Sequence, residues 1–397
     1  MDHNFRVHSR STTFILVISF LVIVVSMAIM ILFSGNKTDQ FSVDPSYDEN
    51  TSIVSSQKAE NDYSSSVSSG DEDKNANAGQ NDVSDTEPEH GWVINNYGYT
   101  YLYGDCGYQQ FNYKQTALDR YVNSINAFSD ALPEKTEYYN IIVPVSSTFA
   151  DIPSEIYKED NFYNLSQSAF VSTVSSKTNE GVRNVSIVKL LETAYDDGEY
   201  VYFRTDNNWT FLGAYKAYSA YCESAGITPY SLDRFISRDK GDFLGSFYRA
   251  TSSEAMYVNP DKFICYNTIP EISTVMTVFR NETVFSDYML CENETTVKNR
   301  FDTILGINAG RYEICSNAQG GSLLIIGDSS AAPIIPFLAS HYTKIDYINP
   351  LEFKTDLGSF LKSREYDQVI SMCYSTNAVM GNYIPALNVF TGAIENE

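Results

Sequence analysis

Residues 91–397 of the sequence predict an α/β fold with a mainly parallel sheet. Short apolar runs of the kind that buried strands need recur along this segment, and patterns with helical spacing lie between them. Helices that connect parallel strands cover both faces of a sheet, and ligands then bind at the carboxyl ends of the strands. No repeat with a period of 20–50 residues is visible, which excludes solenoids and propellers.

The first half of this segment begins with a predicted β-hairpin at Gly91–Asp105 (GWVINNYGYTYLYGD). An amphipathic helix ending at Pro133 is predicted from six apolar residues at helical spacing: Leu118, Tyr121, Val122, Ile125, Phe128 and Leu132. Asn140–Val145 (NIIVPV) has the length and composition of a buried strand. Two further strands are predicted at Val185–Val188 and Tyr200–Phe203.

The second half contains one more amphipathic helix and a series of strands. The helix ends at Gly226 and has five apolar residues on one face: Phe211, Tyr215, Tyr218, Cys222 and Ala225. Strands are predicted at Ser322–Ile326, Lys344–Ile348 and Asp367–Met372, with a helix at Ser330–Ser340 between the first two. This alternation is what predicts a parallel sheet.

The first ninety residues have a different organisation. Residues 13–33 (TFILVISFLVIVVSMAIMILF) carry no charge and no proline, and as a helix they would span roughly 30 Å, the thickness of a bilayer core. We therefore predict a cytoplasmic tail at 1–12, a transmembrane anchor at 13–33, an acidic disordered linker at 34–90 and a domain at 91–397. The linker is rich in Ser, Asp, Asn and Glu, which cannot bury enough apolar surface to fold.

The orientation follows from the charges that flank the apolar run. Arg6 and Arg10 precede it, whereas Lys37 and then mostly acids follow. The positive-inside rule predicts a single-pass protein of the cell membrane with a cytoplasmic N-terminus and an extracytoplasmic domain. A cleaved signal peptide is the alternative, but the run is long for a signal sequence and lacks an obvious small-x-small cleavage site.

Charge and cysteine content restrict the partners and cofactors. The formal net charge is −23, which argues against nucleic acid and anionic lipid as partners. Six cysteines lie far apart with no CxxC motif, so we predict neither a metal site nor a cofactor. Pairing of Cys265 with Cys291 and buried free thiols both remain open.

Ser329 is the strongest candidate for a catalytic nucleophile. It lies in SLLIIGDSSAAPIIPFL, where an apolar strand runs through Gly327-Asp328-Ser329 into a helix. Gly327 permits a tight turn, and unpaired N–H groups at a helix N-terminus stabilise an oxyanion. The alternative is an ordinary helix cap made by Asp328 and Ser329.

Four segments resemble the DHHW family, relatives of the alginate O-acetylation proteins with an SGNH-hydrolase-like fold. In the family's order they are Gly91–Asp105 (GWVINNYGYTYLYGD), Ile141–Phe149 (IIVPVSSTF), Tyr202–Gly213 (YFRTDNNWTFLG) and Leu324–Tyr342 (LLIIGDSSAAPIIPFLASHY). Asp242–Tyr248 is a weaker fifth segment. The resemblance implies a three-layer α/β/α, flavodoxin-like domain in which a serine meets an Asp-x-His pair. It also implies acetyl transfer to, or removal from, envelope and secreted polysaccharides.

The sequence departs from the family at the residue that should be the general base. The family's Asp-His-His-Trp is Asp206-Asn207-Asn208-Trp209 here, so Asn208 replaces the histidine. An amide cannot take up the serine proton at neutral pH. His341 cannot substitute for it, because twelve residues of continuous helix would place it about 18 Å from Ser329.

The resemblance therefore predicts Ser329, Asp206 and Asn208 as the catalytic constellation, with Trp209 as a cleft residue. Arg204 is a candidate for holding a sugar or anionic group, and the alternative is a structural ion pair with a nearby acid. Asn377 follows a predicted strand and is a candidate oxyanion donor, or else a loop cap.

Three functions remain open at this point. The first is a catalytically impaired protein that binds polysaccharide or an acetylated glycan, or serves a polysaccharide O-acetylation complex that includes a membrane-bound O-acyltransferase. The second is an active O-acetyltransferase or esterase with Ser329 as nucleophile and an unconventional base. The third is a surface spacer without a ligand.

Overall fold

The computed structural model describes residues 88–95, 98–353, 360, 364–380 and 383–388. The tail, the anchor and nearly all of the linker predicted from the sequence lie outside these residues. Within the described part of the chain, no helix is long and apolar enough to cross a membrane.

Thirteen strands are present in the described residues. In chain order they are β1 (His90–Asn95), β2 (Gly98–Tyr103), β3 (Cys106–Tyr108), β4 (Glu137–Val143), β5 (Val182–Asn184), β6 (Ile236–Phe243), β7 (Asp261–Asn267), β8 (Thr274–Arg280), β9 (Thr283–Phe285), β10 (Arg311–Ser316), β11 (Gly320–Gly327), β12 (Tyr342–Ile348) and β13 (Gln368–Tyr374).

Nine α-helices accompany the strands in the same ranges: α1 (Gln115–Ala131), α2 (Ser154–Glu159), α3 (Gln167–Lys177), α4 (Val188–Asp196), α5 (Phe211–Ser224), α6 (Ser246–Thr251), α7 (Glu254–Val258), α8 (Ile335–Leu338) and α9 (Ser375–Val379). Residues 383–388 are also helical. Short 3₁₀ helices occur at Ser146–Thr148, Leu232–Arg234, Arg300–Thr303 and Ser329–Ile334.

The central sheet has eight strands in the order β5-β4-β13-β11-β12-β10-β8-β9. The first five strands are parallel to one another. The last three pair antiparallel, β10 with β12, β8 with β10 and β9 with β8. The predicted α/β class is confirmed, but the sheet is mixed rather than mainly parallel. Polar or charged residues interrupt the apolar residues of β8 (TVMTVFR) and β10 (RYEICS), so neither strand has the continuous apolar run on which the strand predictions depended.

The strands in the middle of the sheet are buried on both faces. Leu323–Gly327 of β11 and Val369–Tyr374 of β13 are all buried, as expected of parallel strands covered by helices. The predicted strand at Ser322–Ile326 is confirmed within β11, and Lys344–Ile348 within β12. Their parallel pairing brings the carboxyl ends of β11 and β13 together at one edge of the sheet.

The two long amphipathic helices are confirmed. In α1 the buried residues include Leu118, Tyr121 and Phe128, and the helix ends before Pro133. In α5 they include Phe211 and Tyr218, and Gly226 follows the helix at φ +69°. The predicted hairpin at Gly91–Asp105 is confirmed as β1 and β2, with β3 as a third strand.

Two predicted strands and one predicted helix differ from the structure. The apolar run at Val185–Val188 is not a strand, because β5 ends at Asn184 and α4 begins at Val188. Short apolar runs do not distinguish strands from helices. Tyr200–Phe203 forms only one isolated bridge, from Tyr202 to Trp209.

The predicted helix at Ser330–Ser340 is instead a 3₁₀ helix at Ser329–Ile334 followed by the short α8. Pro333 and Pro336 lack the N–H that a continuous α-helix needs at these positions, which accounts for the interruption.

Candidate functional site

Ser329 lies directly beyond the carboxyl end of β11. It is exposed, whereas Asp328 and Ser330 on either side are buried. Gly327 has no positive φ, but a Cβ there would lie 2.8 Å from both the Ala331 Cβ and the Met372 carbonyl oxygen. Only glycine therefore allows β11 to approach its neighbours closely enough to present Ser329 at the surface.

Asp328 fixes the backbone around Ser329. One carboxylate oxygen accepts hydrogen bonds from the Ser330 N–H (2.9 Å) and hydroxyl (2.5 Å). The other accepts from the Tyr374 N–H (2.8 Å) and the Asn377 amide (2.6 Å). Burial raises the pKa of Asp328 above its usual range. Asn377 therefore connects α9 to residues 327–330, which we call the serine loop, through one of its amide N–H groups. Its side chain also lines a cleft beside Ser329, which is described below.

Asn208 contacts the candidate nucleophile directly. The Ser329 hydroxyl donates to Asn208 Oδ1 at 3.1 Å. Asn208 Nδ2 in turn donates to Asp206 Oδ1 at 2.6 Å, and the Asn208 backbone N–H donates to the same oxygen at 2.9 Å. The structure thus joins Ser329, Asn208 and Asp206, the three residues that the family resemblance implies, in one chain of hydrogen bonds. The catalytic roles of the three residues stay predictions.

Tyr374 fixes which way the Asn208 amide points. Its hydroxyl accepts from the Trp209 N–H at 3.0 Å and donates to Asn208 Oδ1 at 3.2 Å. With Asp206 as a pure acceptor on the other side, the amide NH₂ must face the carboxylate and its oxygen must face Ser329. Asn208 therefore makes the same donor and acceptor contacts that a neutral histidine would make there, but without a basic nitrogen.

The Asp206 carboxylate is held by a loop that the sequence marked only weakly. The Ser246 N–H donates to Asp206 Oδ2 at 2.6 Å, and the Ser246 hydroxyl donates to Asn207 Oδ1 at 2.8 Å. A Cβ at Gly245 would lie 2.2 Å from the Asp206 Cβ. Gly245 and Ser246 belong to the Asp242–Tyr248 segment (DFLGSFY), whose sequence alone gave no indication of this contact.

Trp209 does not serve the predicted cleft role. Its side chain is 0% exposed, and its indole N–H donates to the Ser330 carbonyl at 3.1 Å. The ring therefore supports the serine loop from beneath and cannot touch a bound glycan. The prediction failed because the same residue type serves as a sugar platform when exposed and as core when buried.

Arg204 is engaged in structural ion pairs, as the alternative interpretation held. Its guanidinium contacts Asp105 and lies 3.3 Å from Asp261 Oδ1, and it also donates to the Asn259 carbonyl. Buried Asp261 also accepts from the Thr205 N–H at 2.9 Å. Arg204 lines a separate cavity of about 390 Å³ together with Tyr195 and Tyr200. It does not line the cleft at Ser329.

Neither histidine of the described chain reaches Ser329. His341 Nε2 lies 2.7 Å from the Tyr218 hydroxyl, and burial lowers the pKa of His341 from 6.5 to about 4. Its carbonyl accepts from Gly320 at the start of β11, so the strand separates it from Ser329 by roughly 25 Å. His90 Nδ1 lies 2.6 Å from Asp160. The predicted exclusion of His341 therefore holds, although the helix invoked for it is not continuous.

A cleft of about 360 Å³ opens beside Ser329. The described residues that line it come from the 301–312 segment, the serine loop and the segments after β12 and β13: Phe301, Asp302, Leu305, Gly306, Ile307, Asn308, Tyr312, Asp328, Ser329, Ala332, Tyr347, Asn349, Leu351 and Asn377. A volume near the lower end of the range for small-molecule sites, about 300–1,000 Å³, suits one or two sugar units.

The described residues include neither a cluster of metal ligands nor a disulfide. In the ranges that the structure describes, no group of three or more His, Cys, Asp or Glu side chains is placed to hold a metal ion. The six cysteines are free thiols, including the predicted pair. Cys265 and Cys291 are nevertheless neighbours, with the Cys265 sulfur 3.6 Å from the Cys291 carbonyl oxygen.

Comparisons with known proteins agree with this description. A family model described as DHHW protein matches residues 42–348. A DHHW family protein from Eubacterium siraeum is 21% identical with a TM-score of 0.64, covering 78% of this chain and 99% of that one. Bacillus cereus PatB1 with a sulfonyl adduct is 16% identical with a TM-score of 0.57, covering 72% and 96%. These two likenesses show a common fold.

The O-acetyltransferase domain of Pseudomonas putida AlgJ also matches, at 14% identity and a TM-score of 0.41, covering 75% of this chain and 99% of that one. No curated protein matches the sequence.

Proposed function

Because this chain belongs to the DHHW family, we propose that it is a catalytically impaired, SGNH-hydrolase-like member that acts in polysaccharide O-acetylation. In this role it binds glycan, or serves as an accessory component beside a membrane-bound O-acyltransferase. The observation that carries the proposal is the contact between the Ser329 hydroxyl and Asn208 Oδ1 at 3.1 Å.

The chemistry of that contact explains why catalysis would be impaired. Acyl transfer requires the Ser329 oxygen to attack an acetyl carbonyl carbon while a base removes the hydroxyl proton. An amide oxygen accepts a hydrogen bond but does not bind the proton at neutral pH. Asp206 is two hydrogen bonds away from Ser329, because its carboxylate faces the Asn208 amide and not the serine. The site is thus arranged to orient the serine without activating it.

The same arrangement is compatible with ligand binding. Ser329 is exposed at the cleft, and its backbone N–H has no acceptor among the described residues. This N–H is available to an acetyl oxygen, whereas the hydroxyl proton is held by Asn208 Oδ1. The helix dipole invoked from the sequence contributes less than expected, because the segment that follows is a six-residue 3₁₀ helix rather than a long α-helix.

One observation favours the second candidate function, an active esterase or acetyltransferase. The Asp302 carboxyl lines the same cleft as Ser329. Although the residue is exposed to solvent, partial desolvation of its carboxyl raises its pKa, which makes it a stronger base than an ordinary aspartate. Asp302 would then take the serine proton in place of the missing histidine. The spacer hypothesis has no comparable support, because a spacer needs neither the hydrogen bonds that join Ser329, Asn208 and Asp206 nor the cleft.

The test is acetyl ester hydrolysis by the purified 91–397 domain. We expect p-nitrophenyl acetate turnover close to background in the unmodified protein. Asn208→His should raise the rate by about 10²-fold or more, because a positioned general base contributes about 10²–10⁴-fold. Ser329→Ala in the Asn208→His protein should abolish the gain, and a sulfonyl fluoride should label Ser329 only in the Asn208→His protein.

The two candidate functions give different results in this assay. Brisk turnover by the unmodified protein that is lost in Ser329→Ala contradicts the impaired site, and its loss in Asp302→Asn would identify the substitute base. If Asn208→His leaves the rate unchanged while the protein remains folded, the proposed equivalence of Asn208 to the family's histidine is wrong.

The proposal includes a location. We infer a single-pass protein of the cell membrane, anchored by residues 13–33, with the N-terminus in the cytoplasm and the domain outside. This rests on the apolar run and on Arg6 and Arg10 before it. It would place the cleft beside envelope or secreted glycans and close to a membrane-bound acyl donor.

A further inference from the structure

The cleft beside Ser329 has a distinctive charge distribution. Its described lining contains two carboxylates, from Asp302 and Asp328, and three amides, from Asn308, Asn349 and Asn377. No lysine, arginine or histidine is among the described residues that line it. A site for an acidic polysaccharide normally offers cations to the carboxylates of the polymer, usually as bidentate arginines.

The amide side chains have hydrogen-bonding capacity to spare. Asn349 Oδ1 accepts from the Leu351 N–H at 3.1 Å, and Asn377 Nδ2 donates to Asp328. The remaining groups, Asn349 Nδ2, Asn377 Oδ1 and the exposed Asn308 amide, have no partner among the residues that the structure describes. Amides both donate and accept, which matches sugar hydroxyl groups, since these do the same.

Two cations near Asp302 are directed elsewhere. Arg249, whose charge acts on Asp302, donates to the Lys298 carbonyl. Arg300 precedes Asp302 in the same 3₁₀ helix, but its guanidinium donates to the Asp242 and Thr295 carbonyls. Asp302 forms no ion pair with another described residue, so its exposed carboxylate can face a ligand in the cleft.

We propose that the Ser329 cleft is selective for neutral or amino-bearing acetylated glycans and discriminates against polyuronates. The proposal rests on the glycan-binding function proposed above and specifies its substrate class. Each uronate carboxylate that enters the cleft faces Asp302, and no cation among the described lining residues can pair with it, so like-charge repulsion disfavours the complex. Hydroxyl groups of a neutral sugar instead pair with the three asparagine amides.

The test compares two acetylated oligosaccharides of equal length, a neutral manno-oligosaccharide and an oligomannuronate. Binding to the 91–397 domain is measured by titration calorimetry at low and high salt. We expect the neutral ligand to bind at least tenfold more tightly at low salt. The ratio should shrink at high salt, since screening weakens the repulsion.

A charge-neutralising variant assigns the effect to the cleft. Asp302→Asn keeps the side-chain shape and should improve oligomannuronate binding several-fold, so the ratio between the two affinities should fall. The matched control is Asp197→Asn, which removes an equal charge from an exposed position after α4 that does not line the cleft. It should change neither affinity.

The outcomes separate this inference from the function on which it rests. Oligomannuronate binding as tight as that of the neutral ligand, or no response to Asp302→Asn, overturns the selectivity while glycan binding stands. Binding of neither ligand by a folded domain, with folding checked by circular dichroism, contradicts the glycan-binding function itself and therefore also the selectivity.

Discussion

Asn208 makes the hydrogen bonds that hold the candidate site together, but its amide has no basic nitrogen. Its amide donates to Asp206 and accepts from Ser329 and Tyr374, so every polar atom of this buried side chain is satisfied. An apolar residue at this position would remove one hydrogen-bond partner from Asp206 and one from Tyr374, and the loss of such a bond in a buried site costs about 1 kcal/mol. The asparagine avoids that cost and loses only the basic nitrogen.

His341 gives a prediction at the same scale, because its pKa lies below that of an unfolded histidine. The folded protein binds the proton at about pH 4 and the unfolded chain at about pH 6.5, so the unfolded chain binds more protons between these values. The stability from His341 is thus complete above about pH 6.5 and is lost as the pH falls towards 4. We expect about 2 kcal/mol of this loss between pH 7 and pH 5.

The measurement is urea unfolding of the 91–397 domain at pH 7 and pH 5, with His341→Gln as the comparison. The glutamine can still accept from the Tyr218 hydroxyl but does not titrate, so the variant should lack this part of the pH dependence. Equal losses of stability in the two proteins would show that His341 does not titrate as described.

At the scale of elements, the site depends on loops more than on helices. The segment after Ser329 is a 3₁₀ helix with Pro333 inside it, and it cannot be the continuous α-helix that the apolar pattern predicted. The position of Asp206 depends on a loop between β6 and α6, where Gly245 makes room and Ser246 donates a backbone N–H. The strands β11 and β13 form the sheet edge at which Ser329 lies, and the loops determine where the Asp206 carboxylate lies.

Gly245→Ala should therefore disrupt the hydrogen bonds between Asp206 and Asn208. The new methyl group would overlap Asp206 and displace its carboxylate, and we expect a loss of about 1–3 kcal/mol in stability. In the Asn208→His protein, the same change should remove most of the gain in ester hydrolysis, because the imidazole loses the group that orients it.

Gly226→Ala is the control for this experiment. Gly226 follows α5 at φ +69° with no atom within 4 Å of a new Cβ, so alanine there costs about 1 kcal/mol of backbone strain without a clash. It should leave hydrolysis by the Asn208→His protein unchanged. Equal effects of the two substitutions on hydrolysis would show that Gly245 does not act through Asp206.

At the scale of the whole molecule, the proposed topology makes a prediction in intact cells. Added protease should cut within the predicted linker at 34–90 and release a fragment that contains the 91–397 domain, since a chain of that composition has little apolar content to protect it. The residual membrane-bound fragment, identified by mass spectrometry, should contain residues 13–33. Substituting glutamate for Arg6 and Arg10 should weaken the N-in orientation.

A mature protein that begins after residue 33 would contradict the anchor and indicate a cleaved signal peptide. Protection of the domain from added protease in intact cells, with cleavage after lysis, would contradict the extracytoplasmic location. A cytoplasmic marker protein that stays intact during the first treatment is the control for cell integrity.

The sequence by itself determined the α/β class, the amphipathic faces of α1 and α5, the strand that leads to Ser329 and the replacement of the expected base by Asn208. These features are local, since burial imposes a period along a helix or strand and a motif keeps its spacing. Only the tertiary structure decided that Trp209 is core, that Arg204 belongs to ion pairs away from the cleft, and that Gly245 and Ser246 hold Asp206. The reason is physical. These outcomes depend on contacts between residues tens of positions apart, and such contacts leave no periodic signal in either segment alone.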